Sequence, residues 1–342
     1  MNNRFVYVLG FILAVTACKK NDTPKINSSP TVYVAGIGDD SALYWKNGIS
    51  SNLYGSAGNV YANSIFVAGT DIYVAGKQAL NGGFVATLWK NKIPIPLPDQ
   101  GTSLLTSANS VVVSGGDVYV AGSTDNQGSE ATYWKNGVAV YLPSPTSTIS
   151  PSVPNSTANA IWVSGSDVYV AGASVLTGST LYAPTLWKNG IPVVLTKPGE
   201  AGTASSVYVY NGDVYVAGEQ FPSDGSGDYT AVYWKNGVLT ELSANKALAN
   251  AIAVSDGSVF VAGVESINSV VLGTVWKNGI ATHLTDPTVF SYASSIAVSG
   301  GDVYVAGDVL NSAKSPTAAF WKNGAINIFQ TTNSIAYGLY LK

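Results

Sequence analysis

The chain of 342 residues contains one cysteine, one histidine and one methionine, and charged residues make up only 11% of it. A lone cysteine excludes a disulfide within the chain, so stability has to come from packing. A lone histidine, His283, excludes a His-rich metal centre and any pair of histidine bases. The formal net charge is −3 with no basic block, so the electrostatic footprint of a nucleic-acid binder is missing. No Gly-x-Ser-x-Gly elbow, phosphate loop or zinc spacing is present. What is abundant is Gly, Ser, Thr, Asn, Val and Tyr. That balance favours strands and tight turns, because β-branched and aromatic side chains suit a pleated surface. The hydrophobic content, 46%, is ample for a core and excludes disorder throughout.

The first residues read as a targeting segment. Arg4 precedes an apolar run from Phe5 to Val15, followed by the small residues Thr16 and Ala17 and then Cys18. The run is too short to span a bilayer comfortably and ends in a small-residue cleavage pattern. Val15-Thr16-Ala17-Cys18 resembles a bacterial lipobox. The resemblance implies a signal peptide over 1–17 and lipidation of Cys18 as the first residue of the mature protein. Residues 19 to 30 are polar and include two prolines, so 18–30 reads as a flexible tether. The lysine-rich start of that tether is similar to the charged stretch of Bacteroidetes-type surface lipoproteins. That similarity implies a lipid-anchored address in the cell envelope at the outer membrane, facing either the periplasm or the surface.

From residue 31 onward the chain is repetitive. Val-Tyr-Val-Ala-Gly or a close variant begins at Val32, Ile72, Val118, Val168, Val214, Val259 and Val303, at intervals of 40 to 50 residues. Each copy is followed by Trp-Lys-Asn-Gly or a near match, at Trp45, Trp89, Trp134, Trp187, Trp234, Trp276 and Trp321. One unit reads as four strands: Ser110 to Ser114, Asp117 to Gly122, Ala131 to Lys135 and Val138 to Leu142. Asn136-Gly137 between the last two suits a type I′ hairpin, since both positions tolerate positive φ. Four antiparallel strands at this period is the blade of a propeller. The expected fold over 31–342 is therefore all-β, a seven-bladed β-propeller. The order of turns and aromatics resembles Kelch-type repeats, although the second strand ends Ala-Gly rather than in a glycine pair; no function follows from that resemblance.

Val118-Tyr119-Val120-Ala121 is apolar at every position, which implies burial on both faces between stacked blades. The tryptophans are expected to pack the core, with Tyr119 set opposite Trp134. The fold starts at a second strand, Thr31 to Gly36, while Asn333 to Leu341 resembles a first strand with nothing after it. The C-terminal strand is therefore expected to complete the N-terminal blade and close the ring.

In such a blade the two short hairpins lie on one face and the longer connections on the other. The hairpins are uniform, whereas the stretch from the Ala-Gly glycine to the tryptophan grows from 9 positions (Gly36 to Trp45) to 16 (Gly218 to Trp234). Binding residues concentrate on variable loops carried by a rigid scaffold, so a ligand is expected on the variable-loop face. On the regular face, Asp71, Asp117, Asp167, Asp213 and Asp302 should meet Lys90, Lys135, Lys188, Lys235 and Lys322. These read as exposed pairs that aid solubility and hold register rather than as a grip for a partner.

Candidate ligand-binding residues are the carboxylates of the variable loops: Asp39, Asp40, Glu130, Glu219, Glu265 and Asp308. No catalytic residue is assigned, and His283, in the fourth strand Ala281-Thr282-His283-Leu284, lacks an evident carboxylate or nucleophile partner. Asp224, Ser226 and Asp228 space oxygens as calcium loops do, without the later acidic ligand; calcium is the one cofactor they suggest, and a flexible Gly-Ser loop is the simpler reading. These features point to a monomeric, non-catalytic, envelope-anchored recognition scaffold. Its expected partners are a glycan or protein ligand and, through the lipid alone, the membrane; no nucleic acid is expected. The alternative is a carbohydrate-active hydrolase or lyase using a pair of loop carboxylates.

Overall fold

The computed structural model describes residues 29–57, 60–80, 82–99, 105–125, 128–145, 155–175, 181–197, 200–222, 228–311, 314–331 and 333–342. The signal segment, Cys18 and most of the tether lie outside them. The described residues form seven four-stranded antiparallel sheets arranged as the blades of a ring, with no helix among them. Blade 3 is representative: Ser107–Ser114, Asp117–Asp125, Ser129–Lys135 and Val138–Tyr141. The strands extend a few residues beyond the apolar stretches that signal them. Asn136 and Gly137 adopt φ of 51° and 81°, the left-handed pair that a two-residue hairpin between right-twisted strands requires.

Ring closure is as the chain ends imply. Ser334–Leu341 is the innermost strand of blade 1 and pairs antiparallel with Val32–Gly38, setting Tyr33 opposite Tyr340 and Val34 opposite Leu339. Backbone bonds between Thr31 and Lys342, at 2.7 and 3.0 Å, complete the seam. Blade 1 is thus built from both ends of the chain, and the ring closes with all seven blades four-stranded.

The core is divided among the gaps between blades. Seven buried clusters fill the interfaces, and each holds one tryptophan from a third strand together with residues of the preceding blade. Trp134, for example, packs with Tyr73, Ala75 and Leu88 of blade 2, and Trp45 packs with Tyr304 and Ala306 of blade 7. All seven repeat tryptophans have 0% exposure. Tyr119, Val120 and Ala121 are buried at 7%, 1% and 0%, which matches a strand covered on both faces.

The expected cross-strand pair is displaced by one residue. Trp134 stands opposite Val120, and Tyr119 faces Lys135. The reason is the hairpin that starts the ladder: Asn136 closes onto Val118, donating to its carbonyl at 2.8 Å and accepting from its N–H at 2.9 Å. That pins Lys135, not Trp134, across from Tyr119, and the Lys135 ammonium lies 5.2 Å over the tyrosine ring. Tryptophan and tyrosine serve different interfaces as a result: Trp134 belongs to the cluster shared with blade 2, and Tyr119 to the one shared with blade 4.

The Asp–Lys pairs of the regular face form as expected. Asp71–Lys90, Asp117–Lys135, Asp167–Lys188, Asp213–Lys235 and Asp302–Lys322 have N···O distances of 2.8 to 2.9 Å. Each Asp also accepts from the hairpin Asn of its blade, as Asp117 does from Asn136 at 2.8 Å. The Lys and Asn donors hold the Asp117 carboxyl below its usual value. The pairs are solvent-exposed and tie second strand, third strand and hairpin together.

Candidate functional site

Innermost strands line the axis with one backbone edge unpaired, so their N–H and C=O groups need other partners. A one-residue bulge near the variable-face end of each inner strand supplies some of them. In blade 2 the register passes from Ala62 to Ser64, leaving Asn63 unpaired; the same step skips Asn109, Asn159, Ser205, Asn250, Ser294 and Tyr337 in the other blades. The freed side chains reach the next blade. Asn63 donates to the Ala108 carbonyl at 2.9 Å, Asn109 to Ala158 at 3.0 Å, Asn159 to Ala204 at 3.0 Å and Asn250 to Ala293 at 2.9 Å. One residue further, Ser64, Ser110 and Ser206 accept from the N–H groups of Val111, Ile161 and Ile252 in the following blade at 3.2 to 3.3 Å. Together they form a polar belt around the axis.

Blades 1, 5 and 7 interrupt the belt with Tyr337, Ser205 and Ser294, and blades 5 and 7 are the two with a carboxyl directly after the motif glycine, Glu219 after Gly218 and Asp308 after Gly307. Glu219 pairs across to Thr203, and Ser205 Oγ reaches its Oε2 at 3.5 Å. Burial pushes the Glu219 carboxyl up to about 7, against hydrogen bonds from Thr203 and Ser205 that favour its charged form. Asp308 is 5% exposed, stands opposite Tyr292, and is likewise pushed up to about 7 by burial. Burial, with Tyr61 and Asp308 nearby, raises the Tyr337 hydroxyl to about 12. Near neutral pH each of the two carboxyls can donate or accept a hydrogen bond, the versatility that hydroxyl-rich ligands use. Blade 6, which carries Val264 at the same position, separates them.

Exposed aromatic side chains lie on the same variable face. Tyr229, Phe290 and Tyr292 are 42%, 37% and 40% exposed. Tyr229 meets Phe221 edge to face at 4.8 Å, and Lys77 lies over the rings of Tyr61 and Phe84 at 4.8 and 4.5 Å.

The other expected site residues are dispersed. Asp39 and Asp40, with φ of 48° and 60°, form the exposed two-residue turn of blade 1. Glu130, on the third strand of blade 3, has its carboxyl raised by burial and by Asp99. Asp228 is exposed and pairs with Lys246 at 3.3 Å, while Asp224 and Ser226 lie outside the described residues. Among the described residues no group of three or more His, Cys, Asp or Glu side chains is placed to hold a metal ion.

His283 does have a carboxylate partner, which the sequence did not disclose. Its Nε2 lies 3.0 Å from Glu265 Oε2. Glu265 also accepts from Ser243 Oγ at 2.5 Å and Asn245 Nδ2 at 2.9 Å. Burial opposes ionisation of Glu265, but the donors Ser243, His283 and Asn245 outweigh it and hold the carboxyl below its usual value. Serine and histidine both contact the carboxylate here, whereas nucleophile activation needs the serine on the imidazole. The cluster ties the second and fourth strands of blade 6 to the loop that enters it from blade 5.

Toward the hairpin face the axis opens into a channel of about 360 Å³. One level of its wall, opposite the second residue of each repeat motif, carries Tyr340, Phe66, Trp162 and Tyr208 on blades 1, 2, 4 and 5. Val112, Ala253 and Ala297 complete the level. Phe66 and Tyr340 are tilted at 4.5 Å between centroids, and Trp162 and Tyr208 at 4.4 Å. Trp162, the one tryptophan outside the repeat position, was the sequence signal for this wall, as the recurrent Ala-Asn-Ser or Ala-Asn-Ala step was for the belt.

Fold and site together define a closed seven-bladed β-propeller with a polar belt at its axis, one uniform face and one individual face. No protein-family model matches the chain, and comparison with curated proteins finds no match.

Proposed function

We propose that the protein is a non-catalytic recognition scaffold, held to a bacterial envelope through lipidated Cys18, that binds a glycan or a protein through its variable-loop face. The observation that carries this reading is the composition of that face: exposed Tyr229, Phe290 and Tyr292 share it with the polar groups Lys77, Glu219 and Asp308, Tyr292 standing directly opposite Asp308. Aromatic rings with a few placed polar groups form the stacking and hydrogen-bonding surface that sugars and protein partners use. The lipobox-like Val15-Thr16-Ala17-Cys18 and the polar tether support the address, with the outer membrane as the membrane concerned. The tight hairpins and third-strand aromatics support a Kelch-like assignment of the blades. Glycan arrays and pull-downs with the protein test the reading; silence in both removes it.

A hydrolase or lyase is the second reading, and the carboxyls of Glu219 and Asp308, both raised to about 7, favour it, since an acid catalyst works best near its operating pH. It requires release of reducing ends from a polysaccharide that E219Q and D308N each abolish. Binding without turnover decides for the scaffold.

A further inference from the structure

We infer that the hairpin face of the ring is a bilayer-contacting surface, which holds the variable face away from the membrane. The inference builds on the anchoring reading, and its own evidence lies in the described residues.

Six blades present a large aliphatic residue directly after the hairpin between third and fourth strands: Ile49, Ile93, Val138, Ile191, Val238 and Ile280. They are 61% to 76% exposed, among the most exposed large hydrophobic residues of the ring. All occupy one structural position, opposite the lysine that ends the third strand, as Val138 faces Lys135 and Ile280 faces Lys277. Edge strands exposed to water are normally defended with polar residues at such positions. A planar ring of aliphatics alternating with lysines has the composition of an interfacial surface instead: apolar side chains enter the headgroup boundary while lysines reach phosphates.

The charge balance agrees. Every third strand ends in lysine on this face, and five of the seven are matched by aspartate. In blades 1 and 6 the aspartate is replaced by Thr31 and Ser258. Lys46 and Lys277 lie only over the rings of Tyr33 and Phe260, at 5.6 and 5.3 Å, and no carboxylate among the described residues pairs with them. With Lys92 of the blade 2 hairpin and Asp256 of the blade 6 hairpin included, eight strand-end and hairpin lysines meet six aspartates on this face, so it is locally cationic on a protein of net charge −3, which suits an anionic phospholipid surface.

The entry point of the chain completes the case. Val32 begins its strand at the hairpin face, with its N–H bonded to Asn47 Oδ1 of the blade 1 hairpin at 2.8 Å. Ser29 lies on that side too, its Oγ 3.5 Å from Lys322 Nζ. The thirteen residues between Cys18 and Val32 reach about 45 Å at most, so an anchor at Cys18 holds the ring close to the bilayer with this face as its side of attachment.

The test uses the full chain, processed in a bacterial host and reconstituted into phosphatidylethanolamine–phosphatidylglycerol vesicles. Lipidation consumes Cys18, so I49C and V138C on the hairpin face and Y229C on the variable face each offer one free thiol for an environment-sensitive fluorophore. Quenching by lipids spin-labelled near the headgroup is expected to be at least about threefold stronger at 49 and 138 than at 229. Equal quenching, none at any site, or the reverse order overturns the inference; absence at 49 and 138 would leave the aliphatic ring to a protein partner. Intact mass separates the two readings. A chain carrying two labels and no lipid refutes anchoring, and the same probes on that unanchored chain with added vesicles still decide the face, since blue-shifted emission at 49 and 138 supports it and unchanged emission refutes it.

Discussion

The side-chain amide of Asn109 in blade 3 donates to the backbone carbonyl of Ala158 in blade 4, 3.0 Å away. The acceptor lies on an inner strand edge, where no fifth strand exists to receive it. Bonds of this kind are the means by which neighbouring blades satisfy each other's backbone. Replacing Asn159, which makes the equivalent bond to Ala204, with alanine is expected to destabilise the ring by about 1–2 kcal/mol. Denaturant melts measure this, and a neutral result would show that water serves the carbonyl equally well.

A second prediction concerns the glycine that ends the repeat motif. A Cβ on Gly122 would lie 1.9 Å from the Ser107 carbonyl oxygen, pushed close by the bulge at Asn109. The conflict is with backbone, which cannot swing aside. Gly122→Ala should therefore cost about 3 kcal/mol or more, while Gly115→Ser at the nearby turn, where a Cβ meets nothing within 4 Å and only the left-handed φ of 60° opposes a side chain, should cost about 1 kcal/mol. Comparing the two in unfolding measurements separates close approach from simple loss of glycine.

Truncation before Ser334 removes the inner strand of blade 1 and exposes the edge of Val32–Gly38. Such a chain should aggregate or fail to fold, by light scattering and circular dichroism. A wild-type melting curve would refute the clasp.

The raised carboxyls predict a pH dependence. A folded-state acid whose value lies above its unfolded one binds its proton more tightly in the native protein, so its contribution is full below the unfolded value and is lost as pH rises through the folded one. For Glu219 and Asp308, both raised to about 7 by burial, stability should fall between about pH 4 and pH 8, on the order of 2 kcal/mol for each after allowance for solvent screening. E219Q and D308N together should flatten that slope in melting temperatures across the range.

Tryptophan emission offers a direct look at the channel. Seven tryptophans are fully buried, whereas Trp162 is partly exposed on the channel wall. Acrylamide should therefore quench one small component of the native emission, and Trp162→Phe should abolish it. A quenchable component that survives the substitution would place the exposed tryptophan elsewhere.

Much of the fold was legible because each blade is a local unit. The Asn-Gly turns, the two-sided apolar strands and the unpartnered eight-residue strand at the C-terminus all act over short stretches of chain or through simple complementarity. The position of Trp134 was misjudged by one residue, since the ladder is pinned by Asn136 on Val118, a contact that counting inward from the loop does not reveal. The site was far less legible. Glu219 and Asp308 were marked as loop acids, but their strand burial and the gaps they occupy in the belt were not. His283 and Glu265 are 18 residues apart in sequence and meet because a third strand folds between them.

By itself, then, the order of residues determined seven units, four strands in each, and a clasp between the chain ends, because hydrogen-bond ladders and turn chemistry are local and repeat with the sequence. Only the tertiary structure decided which atoms share the axis. The belt joins side chains to carbonyls some 45 residues away, as from Asn63 to Ala108, and Asp308 of blade 7 acts on Tyr337 of blade 1. Ring closure sets those neighbours, and with them the surroundings of each side chain at the axis.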